Sequence, residues 1–515
     1  MQCEIPSMAL SAVAFAMTTA AMCACAFATE AQGAQAMILR GGIVYDGTGA
    51  PGVRADVLVE GDTIKAIGGD LSAADARIVD VSGLAVCPGF IDAHCHVHEG
   101  LVDKGPREDE EGRQMQSVVG QGVTTIVVGM DGWGLLPLAA YAEDLAKYPF
   151  SANIARLAGH ANARLMVIGK EKRPATAEEI SKMAAIIDQA MKDGAFGLSS
   201  GLEYLGDYVT TEELIALAKV AAPYGGYYET HLRNEDVTVF EAAQEAIRIC
   251  REGGNIPLSI SHIKVGSPEV WHQSGRLEKV LDDARAGGLR VYSNWRPSIL
   301  WSSNLKGLDK DGAHDLKAID TELRKHWPNA DPYLYRCESH AELVGMTLDK
   351  IAESWSTTPA EALVRIWGFG RVAFEFNGST WEDSRVFIND PWCMVVSDGD
   401  DGTTVKRPDP LNRNSFAIFF GSTVRERKWF PLETAVYKCT GLPAKMVGLK
   451  DRGVLRPGMK ADVVVFDPAT IRGEQHWDKP TAEPTGIAYT IVNGVVVMDH
   501  GKHTGAEPGI FIRKR

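Results

Sequence analysis

The sequence predicts an α/β fold: a (β/α)8 TIM-like barrel with a small β-sandwich domain built from both chain ends. Three observations predict it. The long middle of the 515-residue chain alternates short apolar runs with amphipathic helical stretches, the pattern of a parallel sheet with crossover helices. Eight apolar runs of strand length fall in that middle. Both ends of the chain read instead as strands joined by tight turns.

The amino terminus comes first. Residues 8–28, MALSAVAFAMTTAAMCACAFA, are apolar and end in Ala26-Phe27-Ala28, so residues 1–28 read as a secretory signal with a small-residue cleavage site. Met1 to Ser7 carries Glu4 and no Lys or Arg, a weak opening for such a segment. The expectation is a periplasmic or secreted protein with no stable membrane association after cleavage. A single membrane anchor is the competing reading, and no other stretch is apolar enough to span a bilayer. Three of the nine cysteines lie in this segment. The other six are scattered without paired spacing and do not read as a disulfide framework.

Residues 36–87 hold four strand patterns, at Met37-Ile-Leu, Asp56-Val-Leu-Val, Thr63-Ile-Lys-Ala-Ile and Arg77-Ile-Val-Asp-Val, with turns at Gly61-Asp62 and Ser82-Gly83. Residues 445–515 add Asp462-Val-Val-Val-Phe and a hairpin about Asn493-Gly494. These two segments predict one small β domain. Between them, residues 88–444 form the barrel. Its strands are expected near Phe90–Ala93, Thr124–Val128, Ile154–Ala158, Ala195–Ser199, Gly226–Glu229, Pro257–Ser261, Arg290–Ser293 and Met394–Ser397. Helices such as Thr211–Ala222 and Val239–Glu252 connect them. The gap from Pro297 to Trp392 is too long for a plain crossover. It predicts an inserted subdomain at about 298–390, carrying Trp301, Trp327 and Trp355 and closing over the barrel mouth; the charged loop Gly100–Gly112 is a second cover.

Composition narrows the function. Hydrophobic residues at 45% and charged residues at 23% are ordinary for a soluble enzyme. A net charge of -14 argues against nucleic acid or an anionic membrane as partner and leaves a small-molecule substrate open.

The chemistry of such a barrel sits at the carboxyl ends of its strands. The first strand runs into His94 and His96, which lie two apart and so leave one face together. Alone, His-x-His is more often two unrelated histidines. Here the fifth strand ends in His231, the sixth in His262 and the eighth in Asp398, all on the same end of the barrel. Neutral imidazoles and a carboxylate converging in this way suit a divalent cation, zinc foremost, as one or two ions. A bound divalent ion lowers the pKa of its water and polarises a carbonyl. Asp398 is placed to take the water's proton and pass it to a leaving amine. Lys264 shares the face of His262 and offers an ammonium for a substrate carboxylate. His160, after the third strand, is a candidate substrate contact.

With these residues in view, the chain resembles the amidohydrolase superfamily and, within it, the N-acyl-D-amino-acid deacylase (D-aminoacylase) family. The resemblance runs from about Met37 to beyond Phe466. It is carried by Gly122-Val-Thr-Thr, Gly197-Leu-Ser-Ser-Gly-Leu, Thr230-His-Leu-Arg-Asn-Glu, Ser261-His-Ile-Lys, Ser397-Asp-Gly and Gly453-Val-Leu-Arg-Pro-Gly-Met-Lys-Ala-Asp. It implies that His94, His96 and Asp398 serve one metal position and His231 and His262 the other. It implies a metal-dependent hydrolase of a linear amide, releasing an acid and an amine.

Departures from the family pattern carry information. Many members have Asn-Cys-Gly after the second strand, with the Cys as ligand; this chain has Met130-Asp131-Gly132, so Asp131 becomes a candidate bridging carboxylate. Glu203 is the alternative bridge. The family's Tyr-Pro-Tyr and His-Pro-Arg elements are replaced by Arg296-Pro297-Ser298 and Asn412-Arg413-Asn414, so Arg296 or Arg413 is expected to hold a substrate carboxylate, with Trp295, Trp301 and Tyr204 as an apolar wall. Two other functions compete. A cyclic-amide hydrolase of dihydroorotase type usually has a carboxylatable lysine on the fourth strand, and Gly194-Ala-Phe-Gly-Leu-Ser-Ser has none. A non-catalytic scaffold would have no reason to keep four histidines and Asp398.

Overall fold

The computed structural model describes residues 36–515 apart from 98–109, 310–311, 327–331, 338, 371, 401–408, 476–478 and 480. The signal-like segment, most of the charged loop Gly100–Gly112, and Trp327 lie outside the described residues.

The eight barrel strands are Phe90–Asp92, Val123–Val128, Asn153–Arg156 continued by Ala158–Gly159, Gly197–Gly201, Tyr227–His231, Leu258–Ile260, Val291–Trp295 and Cys393–Val395. All pair in parallel with their neighbours in chain order. They read as near-continuous apolar runs because both faces are covered; every residue of Val123–Val128 is buried. The third strand breaks at Leu157: its first half pairs with the second strand, and Ala158 and Gly159 pair with Leu198 and Ser199 of the fourth. The first and eighth strands meet just past their ends. Asp398 N donates to His94 O at 3.1 Å, and His96 N donates to Gly399 O at 2.7 Å. The bonds that close the ring thus also fix three of the candidate ligands.

The crossover helices form where the sequence repeats apolar residues at helical spacing. Val239–Glu252 buries Val239, Phe240, Ala243, Ala246, Ile247 and Cys250 and leaves Glu241 and Arg251 in water. Ala177–Lys192 starts at a capping box in which Thr176 and Glu179 satisfy each other's backbone N–H groups, worth about 1 kcal/mol. Among the described residues no helix is long and apolar enough to cross a membrane.

Strands from both ends of the chain hydrogen-bond into one nine-stranded sheet. The junction is antiparallel pairing of Val463–Phe466 with Ala85–Pro88. Hydrogen bonding is continuous, and the sheet turns back on itself where Ile64 N donates to Met459 O at 2.8 Å. Leu39, Val57, Ile64, Val86, Val463, Val465 and Ile491 fill its core. The Asn493-Gly494 turn has φ of 47° and 80°, as a two-residue hairpin requires.

Between the seventh and eighth strands, a three-stranded antiparallel sheet places Val372–Asn377 between Leu300–Ser303 and Tyr333–Cys337. It packs with helices Leu316–His326, Leu348–Trp355 and Pro359–Trp367 around a separate core of Ile319, Leu334, Ile351, Leu363, Ile366 and Phe374. Trp301 and Trp355 rest against that core. The chain then returns through helix Trp381–Asn389 to the eighth strand.

Candidate metal centre

Six side chains predicted from the sequence meet at the strand tips. His94 and His96 follow the first strand, Asp131 the second, His262 the sixth and Asp398 the eighth, while His231 is the last residue of the fifth. Asp131, His262 and Asp398 have φ of 55°, 28° and 51°, a left-handed backbone that costs non-glycine residues roughly 1–3 kcal/mol each. The surroundings hold them there. His262 N donates to Asn294 Oδ1 at 2.6 Å, and Gly132 N, next to Asp131, donates to Ser199 Oγ at 3.2 Å.

The distances sort the six into two overlapping sets. Asp398 Oδ1 is 3.4 Å from both His94 Nε2 and His96 Nε2. His231 Nδ1 is 3.1 Å from His262 Nε2. Asp131 belongs to neither set alone: its Oδ2 is 3.7 Å from His96 Nε2, and it groups with His94 and His262 so that one donor atom from each lies within 4.8 Å of the others. A further group joins His231, His262 and Glu235 within the same limit.

Buried carboxylates behind the histidines choose which nitrogen faces inward. His94 Nδ1 lies 3.0 Å from Glu229 Oε1, which also accepts from Ser261 Oγ at 3.1 Å and Asn294 Nδ2 at 3.0 Å. The proton is therefore on Nδ1, and Nε2 points into the site. That Nε2 is fully buried and has no hydrogen-bond partner. His262 Nδ1 is 3.0 Å from Glu235 Oε1, which leaves its Nε2 facing His231.

The electrostatics ask for positive charge. Burial works against a charge on His94, but Asp398 and Glu229 outweigh it and lift its pKa to about 10. His231 is likewise raised against burial by Glu235 and Glu203. Burial would raise Asp398, yet His262, His94 and His96 hold it well below the usual carboxylate range. His262 is pushed down by burial and Lys264. A divalent cation supplies what the protonated imidazoles supply here, and the donors fit one: neutral nitrogens and carboxylates, pre-oriented, with an unpartnered Nε2 and an unpartnered Asp131 Oδ1 buried at the centre.

Above these residues lies a cavity of about 250 Å³, lined from the barrel by His96, His231, His262, Lys264, Arg296 and Asp398. Leu300, Trp301, Tyr335 and Arg336 of the inserted sheet form its other wall, and Tyr204 and Trp295 also line it. Lys264 sits with its Nζ 5.0 Å from the centre of the Trp301 ring and ion-pairs with Glu235. Arg296 ion-pairs with Asp409, and its Nε is buried with no hydrogen-bond partner.

Three expectations are corrected. His160 does not line the cavity; it is fully buried, and Glu213 holds its Nε2 at 2.7 Å. The reason is that it opens the helix His160–Ile168, which turns its ring toward Glu213 of the helix Thr211–Ala221, a carboxylate that Arg164 of its own helix also engages. Arg413 points away to pair with Glu483 of the β domain and is also absent from the lining. Glu203 does not bridge: it sits 2.7 Å from His231 Nε2, across the ring from the nitrogen that faces His262. Glu229, Glu235 and Arg336 were missed. Glu229 and Glu235 stood close to His231 in the sequence, and Glu229 shares its strand face; nothing local marked Arg336.

The Amidohydrolase family model matches residues 393–498. A D-aminoacylase from Alcaligenes xylosoxydans xylosoxydans is 34% identical over 501 residues, covering 92% of this chain and 96% of the relative. The chain belongs to the D-aminoacylase family of amidohydrolases. Solved members superpose along the same length. A D-aminoacylase studied for the role of its binuclear metal center gives a TM-score of 0.80 at 33% identity, covering 93% of this chain and 99% of that one. The N-acyl-D-glutamate deacylase from Bordetella bronchiseptica, complexed with zinc and a phosphonate mimic of the tetrahedral intermediate, gives 0.79 at 32% identity with the same coverage. The family's barrel with its β domain is therefore the fold of this chain.

Proposed function

We propose that this chain is a divalent-metal-dependent N-acyl-D-amino-acid deacylase, hydrolysing a linear amide that carries a carboxylate on its amine side. The observation that carries this reading is the floor of the cavity, where four histidines, Asp131 and Asp398 present inward-facing donors beneath two cationic side chains. His94, His96 and Asp398 would hold one ion, His231 and His262 a second, with Asp131 shared between them. Zinc, present in the Bordetella relative, is the first candidate. When bound, such ions polarise the scissile carbonyl and make water a nucleophile at neutral pH.

The chain's own groups do the rest. Asp398 is held as a carboxylate by the imidazoles around it, so it can accept the proton of the attacking water. It then delivers that proton to the leaving amine nitrogen, since the cavity opens on its side. Glu229 keeps His94 in one tautomer through the cycle. Arg296 lines the same cavity with an unpartnered Nε and is the donor for the α-carboxylate, with Lys264 beside it. The fourth strand, Gly197–Gly201, offers no lysine for the cyclic-amide alternative. The apolar leader at 8–28 supports export to the periplasm or beyond.

The test pairs metal analysis with hydrolysis of N-acetyl D- and L-amino acids and their methyl esters. The D acids should be cleaved fastest, chelation should abolish cleavage and zinc should restore it. A metal-loaded preparation that cleaves no N-acyl amino acid rejects the reading.

A further inference from the structure

The amino end of the barrel, opposite the metal centre, is covered by residues 510–515. They run beside the start of the third strand: Ile154 N donates to Ile510 O at 2.9 Å, Ile512 N to Ile154 O at 2.8 Å, and Lys514 N to Gly194 O at 2.9 Å. Phe511 stands opposite Ile154, as in a parallel pair. Successive side chains in such pairing alternate between two faces. Ile512 accordingly packs on the core inside the barrel, the core that holds Phe196 and touches Leu449. Phe511 turns the other way, onto the ring of Tyr141 in the helix layer. Lys514, two residues after Ile512, follows it inward, and its Nζ stands 5.5 Å from the centre of the Phe196 ring. Gly448 leaves room for that ammonium, since a Cβ there would lie 3.3 Å from Nζ.

A second cavity, of about 720 Å³, opens here. Phe196, just before the fourth strand, and Tyr224, before the fifth, form its walls with Leu449 and Ile512. Its size and apolar walls suit a small molecule. The charge around it is one-sided. Six basic side chains line it against one acidic, Asp451, which Arg452 already engages at 3.1 Å. Arg452 also ion-pairs with Asp462, and Lys460 with Asp62. Lys450, Arg513 and Lys514 form no ion pair among the described residues. Burial, and then the charges of Lys450 and Arg290, hold the Lys514 ammonium below the ordinary lysine value. Arg290 stands just before the seventh strand, so a third strand start adds a cation. Like charges gathered in this way repel, and an anion held among them recovers that energy. The clustering occurs in a chain whose net charge is -14, so it is no by-product of a basic composition.

We propose that this cavity binds a phosphate-bearing small molecule with an apolar body, its phosphate held by Lys514 and Lys450 and its body lying against Phe196, Tyr224 and Leu449. A phosphate ester carries up to two charges and three acceptor oxygens, so it meets several cations at once, where a carboxylate has one charge to share. Free phosphate and an ester present the same oxygens to the lysines; the apolar walls select the ester. The site lies at the far end of the barrel from Asp398 and is independent of the amide chemistry.

Calorimetry on the metal-loaded protein tests this with phenyl phosphate, inorganic phosphate and phenol. Phenyl phosphate should bind roughly 10-fold or more tightly than inorganic phosphate, the worth of burying its ring, and phenol should not bind detectably. Lys514→Met and Lys450→Glu should each weaken phenyl phosphate roughly 10- to 100-fold, the worth of a charge-assisted contact, while Lys514→Arg should keep most of the affinity. Lys450 is exposed, so Lys450→Glu decides the matter even where Lys514→Met unfolds; an unliganded Tm equal to wild type checks each variant. Phosphate taken up by the metal ions at the other end is untouched by these substitutions and cannot mimic the loss. Equal affinity of wild type and the folded variants for phenyl phosphate overturns the proposal. So does inorganic phosphate that binds as tightly as phenyl phosphate.

Discussion

The two ends of the barrel solve the same electrostatic problem in different ways. At the carboxyl ends of the strands, Asp131, Asp398, Glu229 and Glu235 converge on histidines, and the excess negative charge drives His94 up to a pKa of about 10. At the amino ends of the seventh and eighth strands, Asp390, Glu278 and the more exposed Asp282 share one guanidinium, Arg285, which sits 2.6 Å from Asp390 Oδ2, 3.7 Å from Glu278 Oε2 and 2.8 Å from Asp282 Oδ1. Lys438 is close by, but its Nζ donates to the carbonyls of Asp390 and Cys393 at 2.7 and 3.0 Å and stitches the strand to its helix. There too carboxylates are in surplus, and burial with the charge of Asp390 pushes Glu278 up to about 8. The end with imidazole donors is built to accept metal ions; the end without them accepts a proton. The chemistry follows the donor set, since carboxylate excess is common to both.

Removing the proton carrier at the upper end should have the largest effect. Asp398→Asn is expected to fold and keep at least one ion while kcat falls about 10²- to 10⁴-fold. A variant of near wild-type rate would show that another group moves the proton. His231→Ala and His262→Ala should each cost the second ion, because their facing nitrogens leave few replacements. Metal stoichiometry by mass spectrometry decides this, and wild-type content in both would reject the assignment. Asp131→Asn should be milder, loosening the second ion more than the first, since an amide oxygen is a neutral and weaker bridge. Titration with zinc separates the two affinities, and equal weakening of both would make Asp131 a turn residue only.

Much of this upper end was legible in the sequence. The barrel strands fall within a few residues of where the apolar runs place them, and Val239–Glu252 has the predicted bounds, because both signals come from burial pattern alone. The histidines were legible because strand tips share one end of a barrel. Other features depend on tertiary contact. His160 lies next to a strand end like a true ligand, and only the helix it opens turns it away. Arg413 is drawn off by Glu483, seventy residues further on. Arg336 reaches the cavity through a one-residue bulge, a register shift that has no composition signature. The left-handed backbone at Asp131, His262 and Asp398 is equally silent in the sequence, although glycine follows two of the three.

The lower end gives the smallest prediction and tests the comparison from the other side. A carboxyl whose pKa is raised on folding means that the folded protein binds more protons than the unfolded chain across the interval between the two values. Stability must therefore fall as pH rises through that interval, from about 4.5 in the unfolded chain to about 8 for Glu278, and level off above it. A protonated Glu278 can donate to Asp390. Glu278→Gln keeps a donor there and removes the titration. The variant should match or fall slightly below wild type at pH 5.5 and exceed it at pH 8.5, by roughly 1–2 °C in Tm for a chain of this size. Metal-loaded protein should be used for both, so that the upper end does not contribute its own pH dependence. Parallel Tm curves for the two proteins between pH 5.5 and 8.5 would mean that Arg285 already compensates both carboxylates, and that the surplus of charge is confined to the end that binds metal.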